Sequence, residues 1–484
     1  MPDVALPGAR VLVAGLGASG RACARVLADV AREVVTVDDR AQDADVRPAD
    51  LAGQVESFDL VVTSPGLPPT HPVLVEAVAA GVPVWSEVEL AWRLRVPRAT
   101  GPGAGTPAPW LAVTGTNGKT TTVGMLASML EAAGLRAPAV GNIGPSVLEA
   151  ALDPANDVLV VELSSFQLHF THTMSVLAGA VLNVAPDHLD WHGTLDAYAA
   201  AKGRVYERAQ VACVYNVADP RTEALVREAD VVEGARAVGF TLGAPRRSEL
   251  GLVEDVLVDR AFHLPADAPD RHASAAEVGT LADLAHLGAP DGTVPPHVVA
   301  DALAAAALAR AAGVDARAVR DGLRAYAPGG HRIEQVALSG GVAWVDDSKA
   351  TNAHAAAASL GAFPAGTVVW VAGGLAKGAL LDDLVRARAD RLRAVVLVGV
   401  DPEPFAGALA RHAPDIPVER VDPGDTGTVM QRAVRAARAL ARPGDTVLLA
   451  PAAASMDQFR SYAERGDTFA EEARALGPDT GRHA

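Results

Sequence analysis

The residues best suited to chemistry lie in a short glycine-rich loop, which follows an apolar run, Leu111 to Val113, and precedes a helix-like segment. Backbone N–H groups in such a loop approach an oxyanion, and the helix N-terminus adds a partial positive charge. Lys119 is placed to reach terminal phosphates, and the Thr120 hydroxyl is placed to coordinate Mg²⁺. We therefore predict a nucleotide-phosphate site formed by Gly115, Thr116, Asn117, Gly118, Lys119, Thr120 and Thr121.

The spacing of this loop departs from the usual Walker sequence, which has a glycine where this chain has Val113. A glycine-rich turn with a solvated lysine is the competing interpretation. Glu162 supports the nucleotide site, because a carboxylate that ends a strand beside a phosphate loop commonly organises Mg²⁺. His188 follows the next predicted strand. Taken singly, Glu162 also fits a helix-capping role, and His188 also fits a solvated loop.

Lysine is rare in this chain. Only Lys119, Lys202, Lys349 and Lys377 occur, so 42 − 4 leaves 38 arginines. An ammonium is a compact and titratable charge that a guanidinium does not replace, so the four lysines point to functional positions. The alternatives are chance survival and, for Lys202 on a predicted helix, a side chain that snorkels to the surface.

A second glycine-rich loop, GLGASG at residues 15–20, joins a predicted strand to a predicted helix, and Asp38 and Asp39 follow the next strand. This pattern is typical of dinucleotide binding. By itself it favours NAD and another nucleotide equally. Ser64 lies in a rigid turn, SPGLPP, at the end of a third strand, where open α/β sheets bind ligands.

The C-terminal third repeats this alternation of strands and helices. The segments DDSKATN, GGLAKG and PAAASMDQF each follow a predicted strand. Because the carboxyl ends of parallel strands meet at one edge of a sheet, we expect these loops to line one crevice.

Composition limits the classes of function. A net charge of −16 argues against a general nucleic-acid binder. Cys23 and Cys213 are the only cysteines and lie far apart, so neither a disulfide framework nor a zinc site is indicated. The sequence shows no secretory signal and no apolar stretch of about 18 residues. We therefore expect a cytoplasmic protein without a nucleic-acid or membrane partner.

The predicted fold is α/β with three domains. We expect a Rossmann-like N-terminal domain over 1–104, a P-loop ATPase-like central domain with a parallel sheet over 105–327, and a Rossmann-like C-terminal domain over 328–484. Residues 211–296 are less regular, with short strands such as Gly251 to Val258. Linkers at about 100–107 and 325–330 are predicted hinges.

Together these segments resemble the Mur ligase family. In chain order they are GTNGKTT, GNIG, ELSSFQL, APDHLD, AAKGRVYE, GGHRIE, DDSKATN and PAAASMDQF. DDSKATN and SMDQF discriminate best, because sister ligases share the phosphate loop and differ in the third domain. The resemblance implies a ligase in which ATP converts the carboxylate of UDP-N-acetylmuramoyl-L-alanine to an acyl phosphate, which the amine of D-glutamate then attacks. It implies these small-molecule substrates as partners, and we expect a monomer.

The resemblance also assigns residues to roles. The implied catalytic residues are Lys119, Glu162, His188 and Lys202. ATP is expected to contact, beside the loop, Arg332, Asp347 and Lys349. Two Mg²⁺ sites are expected to use Thr120, Glu162, His188 and Lys202, the last carbamylated by CO₂. The uridine diphosphate is expected at Gly17, Ser19, Gly20, Asp38, Asp39, Arg40 and Ser64, and the muramoyl-alanine portion at Asn142. D-Glutamate is expected at Thr351, Lys377, Ser455 and Tyr462.

Three departures from the family pattern occur. Val298 and Asp301 stand where relatives often have asparagines that contact adenine, Leu375 stands where some relatives carry an acid, and Tyr462 replaces an aromatic that is often phenylalanine. Two alternative functions stay open. One is a sister ATP-dependent amide ligase, such as another Mur enzyme or a folylpolyglutamate synthase. The other is an NAD-dependent oxidoreductase fused to an NTPase, which gives no role to Lys202, Lys349 or Lys377.

Overall fold

The structure is a computed structural model that describes residues 4–477 except 102, 266, 289–292, 332 and 377–380. It contains three separate sheets of four, nine and six strands. The prediction of an α/β fold built on three sheets is confirmed. The chain forms two compact units, one holding residues up to Gly288 with Pro296–Tyr326, and the other running from Ala327 onwards. The exact domain boundaries stay predictions.

The first sheet is wholly parallel, with strand order β2-β1-β3-β4. Apart from Arg10 and Thr63 at their ends, strands β1 and β3 consist of apolar residues, all of them buried, as expected when helices cover both faces of a parallel sheet. Its elements are β1 (Arg10–Ala14), α1 (Ala18–Val30), β2 (Glu33–Val37), β3 (Leu60–Thr63), α2 (Pro72–Ala79), β4 (Val84–Ser86) and α3 (Glu87–Leu94).

The central sheet has the order β13-β12-β11-β10-β9-β8-β5-β7-β6. Its strands are β5 (Trp110–Thr114), β6 (Ala139–Gly141), β7 (Leu159–Glu162), β8 (Ala178–Val181), β9 (Ala212–Asn216), β10 (Arg236–Phe240), β11 (Glu249–Val253), β12 (Val256–Asp259) and β13 (Ala276–Thr280). Its helices are α4 (Lys119–Ala132), α5 (Val147–Ala151), α6 (Ser165–His169), α7 (Leu189–His192), α8 (Leu195–Gly203), α9 (Pro220–Glu228), α10 (Pro296–Ala311) and α11 (Ala316–Ala325). Strand β5 lies between β7 and β8, so the loops after these three parallel strands meet.

The far edge of this sheet differs from the sequence prediction. The single strand expected over Gly251 to Val258 is an antiparallel hairpin of β11 and β12. Glu254, at its turn, has φ 56°, a left-handed conformation in which a strand cannot continue. A tight turn without glycine left no signal in the sequence.

The third sheet has the order β14-β15-β19-β16-β17-β18, and only the β14–β15 pair is antiparallel. Its strands are β14 (Glu334–Ser339), β15 (Val342–Asp346), β16 (Val368–Gly373), β17 (Leu392–Val398), β18 (Val418–Arg420) and β19 (Thr446–Leu449). Its helices are α12 (Ala353–Gly361), α13 (Asp382–Arg388), α14 (Glu403–His412), α15 (Thr426–Leu440) and α16 (Tyr462–Ala475). Among the described residues, no helix combines the length and the apolar character that crossing a membrane requires.

The first two sheets share one hydrophobic core. Trp92 of α3 meets Trp110 of β5 edge to face, with ring centroids 5.2 Å apart, inside one continuous cluster of buried side chains. The linker between the sheets folds back on itself, because the Arg98 N–H donates to the Thr106 carbonyl at 3.0 Å. This packing argues against the hinge predicted at 100–107.

A glycine sets the spacing between α4 and α11. The Ser128 hydroxyl donates to the Gly322 carbonyl at 2.7 Å, and a Cβ on Gly322 would overlap the backbone of Met129. Gly322→Ala should therefore lower the free energy of unfolding by about 1–3 kcal/mol, the usual cost of overpacking. Chemical denaturation measures the change.

Gly407 provides the matched control, since it also lies inside a helix, α14, but a Cβ there would meet only the Arg411 side chain, at 3.2 Å. Gly407→Ala should be neutral or stabilising by up to about 1 kcal/mol. Equal losses in both variants would contradict the proposed packing role of Gly322.

Candidate active site

The phosphate loop lies where the sequence predicts it, between β5 and α4. Gly118 caps α4 with φ 83°, a backbone conformation that favours glycine. A Cβ at this position would also overlap the Asp301 carboxylate. Lys119 is the first residue of α4, and its Nζ donates to the carbonyls of Gly115 at 2.9 Å and Thr116 at 2.8 Å. The ammonium therefore lies over the loop, beside the helix N-terminus that attracts anions.

Asn183, which the sequence analysis missed, fixes the other side of the loop. Its Oδ1 accepts from the Asn117 N–H at 2.8 Å, and its Nδ2 donates to the Asn117 carbonyl at 3.1 Å. The Asn183 carbonyl also accepts from the Thr116 N–H at 3.0 Å. The sequence does contain a signal for this residue: an asparagine just after the buried strand β8 needs hydrogen-bond partners nearby.

Glu162 connects two of the predicted site residues. Its Oε2 accepts from the Thr120 hydroxyl at 2.8 Å, and its Oε1 accepts from Asn142 Nδ2 at 2.9 Å. The carboxylate is 2% exposed and ends β7, next to the phosphate strand. A hydroxyl and a carboxylate are oxygen ligands that Mg²⁺ prefers, so the pair fits that cation. Asn142, predicted as a substrate contact, orients the carboxylate in this structure.

Lys202 is buried at the same loop. Its side chain is 2% exposed, its Nζ donates to the Gly115 carbonyl at 2.8 Å, and it lies 4.3 Å from the centre of the Tyr198 ring. Burial, and secondarily the nearby charge of Lys119, hold the pKa of Lys202 well below its ordinary value. This environment favours a neutral amine.

His188 lies near the Tyr198 ring, which Lys202 also contacts. It precedes α7 with φ 53°, and its ring centroid is 4.7 Å from that of Phe166 and 6.3 Å from that of Tyr198. Its Nε2 is 3.6 Å from the Asp187 carboxylate. Among the described residues no group of three or more His, Cys, Asp or Glu side chains forms a metal site.

The nucleotide loop of the first sheet is shaped by Asp38. Its carboxylate accepts from the N–H groups of Leu16 at 2.6 Å and of Arg40 and Ala41 at 2.7 Å each. These bonds, chiefly the one from Leu16, hold the pKa of Asp38 below its usual range. The Asp38 carboxylate, predicted to contact the uridine diphosphate, therefore accepts hydrogen bonds from the backbone of the glycine loop and of its own loop.

Other predicted residues surround this loop. Gly15 has φ 88°, and a Cβ on it would lie 2.8 Å from Ser64 Cβ, so the two loops touch. Gly17 caps α1, which contains Ser19 and Gly20. Asp39 lies 3.3 Å from Nε2 of His71, a residue that the sequence analysis missed. The exposed Arg40 lies next to Asp39.

The third sheet places its predicted residues at its carboxyl edge. Asp347 is nearly buried and accepts from the Ser359 hydroxyl. Lys349 Nζ lies 5.1 Å from the centre of the Tyr462 ring, and the Lys349 carbonyl accepts from the Thr351 N–H at 2.8 Å. Ser455 is 4% exposed, after β19. Arg332 and Lys377 lie outside the described residues.

Arg465 is another residue that the sequence analysis missed. It is 1% exposed, and burial lowers its pKa to about 10. Its guanidinium donates to the Ser348 hydroxyl and carbonyl at 2.9 Å each and to the Ala453 carbonyl at 3.1 Å. One buried cation thus joins the loops after β15 and β19, the loops that carry Lys349 and Ser455.

Family models match all three parts of the chain. The Mur ligase MurD-like N-terminal domain matches residues 9–86, the Mur ligase middle domain matches 113–250, and the Mur ligase glutamate ligase domain matches 331–453. A UDP-N-acetylmuramoylalanine–D-glutamate ligase of Streptomyces avermitilis is 57% identical, over 97% of this chain and 99% of its own. The chain belongs to the Mur ligase family. The predicted family is therefore confirmed.

Other Mur ligases support this assignment. The UDP-N-acetylmuramoylalanine–D-glutamate ligase of Thermobifida fusca is 52% identical, over 97% of this chain and 99% of its own. Two Thermotoga maritima structures share the Mur ligase fold. The UDP-N-acetylmuramate-alanine ligase has a TM-score of 0.55 at 16% identity, covering 97% of this chain and 100% of its own. The MurF ligase, in complex with ADP, has a TM-score of 0.55 at 17% identity, covering 92% and 94%.

The buried amine of this Mur ligase yields a stability prediction. Below pH 10.5, the ordinary pKa of lysine, unfolding lets Lys202 take up a proton that the folded protein disfavours, so this residue costs stability. Lys202→Met should therefore raise the free energy of unfolding by about 1–4 kcal/mol at pH 7. The gain should shrink at pH 9.5, because the unfolded chain then binds the proton less tightly.

Denaturation at both pH values, in buffer freed of CO₂ because CO₂ reacts with neutral amines, measures this effect. A gain that does not depend on pH would contradict a depressed pKa for Lys202.

Proposed function

We propose that the protein is an ATP-dependent ligase that joins D-glutamate to UDP-N-acetylmuramoyl-L-alanine, a step of peptidoglycan precursor synthesis. The observation that carries the proposal is the convergence of Lys119, Thr120, Glu162 and Lys202 on one phosphate loop. The choice of D-glutamate is supported by relatives of that activity that match the whole chain. A sister ligase with another amino-acid specificity becomes an outcome of the test.

The reaction brings two anions together, the carboxylate of the substrate and the phosphates of ATP. A carboxylate oxygen of the substrate attacks the γ-phosphorus of ATP, the bond to ADP breaks, and an acyl phosphate forms. The D-glutamate amine then attacks the acyl carbon, phosphate leaves, and the amine loses a proton. Lys119 and the N-terminus of α4 offset the charge on the transferred phosphoryl group. Thr120 and Glu162 would hold Mg²⁺, which adds positive charge at the phosphates.

Lys202 and His188 form the proposed second cation site. The neutral amine that burial favours can attack CO₂ and lose a proton, which gives a carbamate. A carbamate is an anionic oxygen ligand suited to Mg²⁺, and arginine does not form one under these conditions.

The remaining predicted residues are proposed to bind the two substrates and ATP. The first sheet, with Gly17, Ser19 and Ser64 beside its glycine loop, is proposed to hold the uridine diphosphate, within a domain over 1–104. The third sheet is proposed to bind D-glutamate through Thr351 and Ser455, within a domain over 328–484. Lys377 and Tyr462 complete the proposed amino-acid site. Arg332, Asp347 and Lys349 are proposed to face ATP, bound mainly by the domain over 105–327. We propose that this enzyme acts as a cytoplasmic monomer.

Phosphate release tests the function directly. With ATP, Mg²⁺ and UDP-N-acetylmuramoyl-L-alanine, D-glutamate should start phosphate release, because only the matching amine completes turnover. L-Glutamate, meso-diaminopimelate and L-alanine should give less than about a hundredth of that rate. Turnover with one of these amino acids, and none with D-glutamate, would reject the assignment in favour of a sister ligase.

The proposed carbamate has its own test. Lys202→Ala should lose at least about 99% of the activity, since it removes a cation ligand. Added short-chain carboxylic acids should restore part of it, because they can fill the vacated space with an oxygen anion. Lys202→Arg is the matched control, because its side chain fills that space and should not respond. Full activity of Lys202→Ala without added acid would rule out an essential carbamate.

A further inference from the structure

Glu89 is a buried carboxylate that joins the first sheet to the central sheet. It lies in α3 and is 0% exposed. Its Oε2 accepts from the backbone N–H groups of His172 at 2.7 Å and Thr173 at 2.8 Å. Its Oε1 accepts from the Thr173 hydroxyl at 2.6 Å and from Arg93 Nε at 2.7 Å. Four donors therefore fix one side chain between two sheets.

The environment keeps this carboxylate ionised. Burial acts to raise the pKa of Glu89, but the hydrogen bonds from Thr173, His172 and Arg93 outweigh it and lower the pKa. Hydrogen bonds to an ionised acceptor are about twice as strong as those between neutral groups. The joint is thus held by charge-assisted hydrogen bonds in addition to apolar packing.

Neighbouring contacts cross the same joint. The hydroxyls of Ser86 and Thr171 are 2.9 Å apart and buried. The Ser86 N–H donates to the Phe170 carbonyl at 2.9 Å. The His172 ring donates from Nε2 to the Val84 carbonyl at 2.9 Å. These hydrogen bonds tie β4 to the segment 170–173.

Both sides of this joint lead to the proposed active site. The segment 170–173 continues from α6, which begins at Ser165, directly after the loop that follows Glu162. On the other side, α3 follows β4, which pairs with β3, the strand that ends next to Ser64. Through its hydrogen bonds, Glu89 thus connects the helix that follows β4 to the segment that follows α6, and these two elements lead along the chain to Ser64 and to Glu162.

We propose that Glu89 is a positioning residue, which fixes the distance between the nucleotide-binding edge of the first sheet and the Glu162 site. This inference rests on the proposed function. The substrate is held at its nucleotide end and reacts at its other end. A small displacement of one sheet would therefore slow the reaction and leave nucleotide binding intact.

Glu89→Gln tests this role. The amide loses the charge that pairs with Arg93 and presents a donor to N–H and O–H groups that also donate. The value of kcat/KM for UDP-N-acetylmuramoyl-L-alanine, from phosphate release, should fall at least tenfold. The affinity and stoichiometry of UDP alone, from calorimetry, should stay within twofold of the wild type. A role in folding alone predicts a lower UDP stoichiometry that parallels the lost activity.

Thr173→Val is the second variant, for use if Glu89→Gln does not fold. It removes one hydroxyl donor, keeps the charge and both backbone bonds, and should lower kcat/KM at least threefold with the same unchanged UDP binding. Glu149→Gln is the matched control, because its carboxylate pairs with Arg25 across the same two sheets at 2.6 Å, but on the surface. It should match the wild type in both measurements.

Two results would overturn the positioning role: wild-type kcat/KM in the folded variants, or UDP binding that falls in step with activity. A wild-type enzyme that binds UDP but releases no phosphate with D-glutamate would instead reject the proposed function. The two failures are therefore distinguishable.

Discussion

One backbone oxygen, the carbonyl of Gly115, accepts hydrogen bonds from two lysines, Lys119 and Lys202. Burial disfavours the charged form of the deeper amine, Lys202, and repulsion from the nearby ammonium of Lys119 adds to this effect. The arrangement therefore separates two side chains of the same type into a cation, Lys119, and an amine that is readily neutral, Lys202. The separation depends on the glycine loop and on the position of α8, which brings Lys202 to the Gly115 carbonyl.

The fold and the centre of the site were predictable because their signals are local. The spacing of Gly115, Gly118 and Lys119 defines a phosphate loop, and Glu162 ends an apolar run short enough to be a strand. The scarcity of lysine singled out Lys202, which the structure places, buried, at that loop. The spacings depend on a few neighbouring residues and the lysine count on composition, so one sequence suffices to find both.

The supporting residues were not predictable, since their roles depend on partners far along the chain. Glu89 resembles a surface carboxylate of a short helix until Thr173 is placed against it. Arg465 looks like one of many arginines until it is found between two loops. Asp38 shows a related limit: the motif singled it out, and the structure shows its two oxygens accepting from the backbone N–H groups of Leu16 and Arg40. Sequence spacing locates a group and does not show which of its atoms remain available.

The core shared by the first two sheets constrains how this protein can be divided. Trp92 precedes the linker in the sequence and Trp110 follows it, but the two rings contact each other in one buried cluster. A chain cut within the closed loop at 98–106 would produce two fragments that each expose a face of that interior. Such fragments would aggregate singly and refold together, as in a split protein, whereas the residues from Ala327 onwards carry cores of their own.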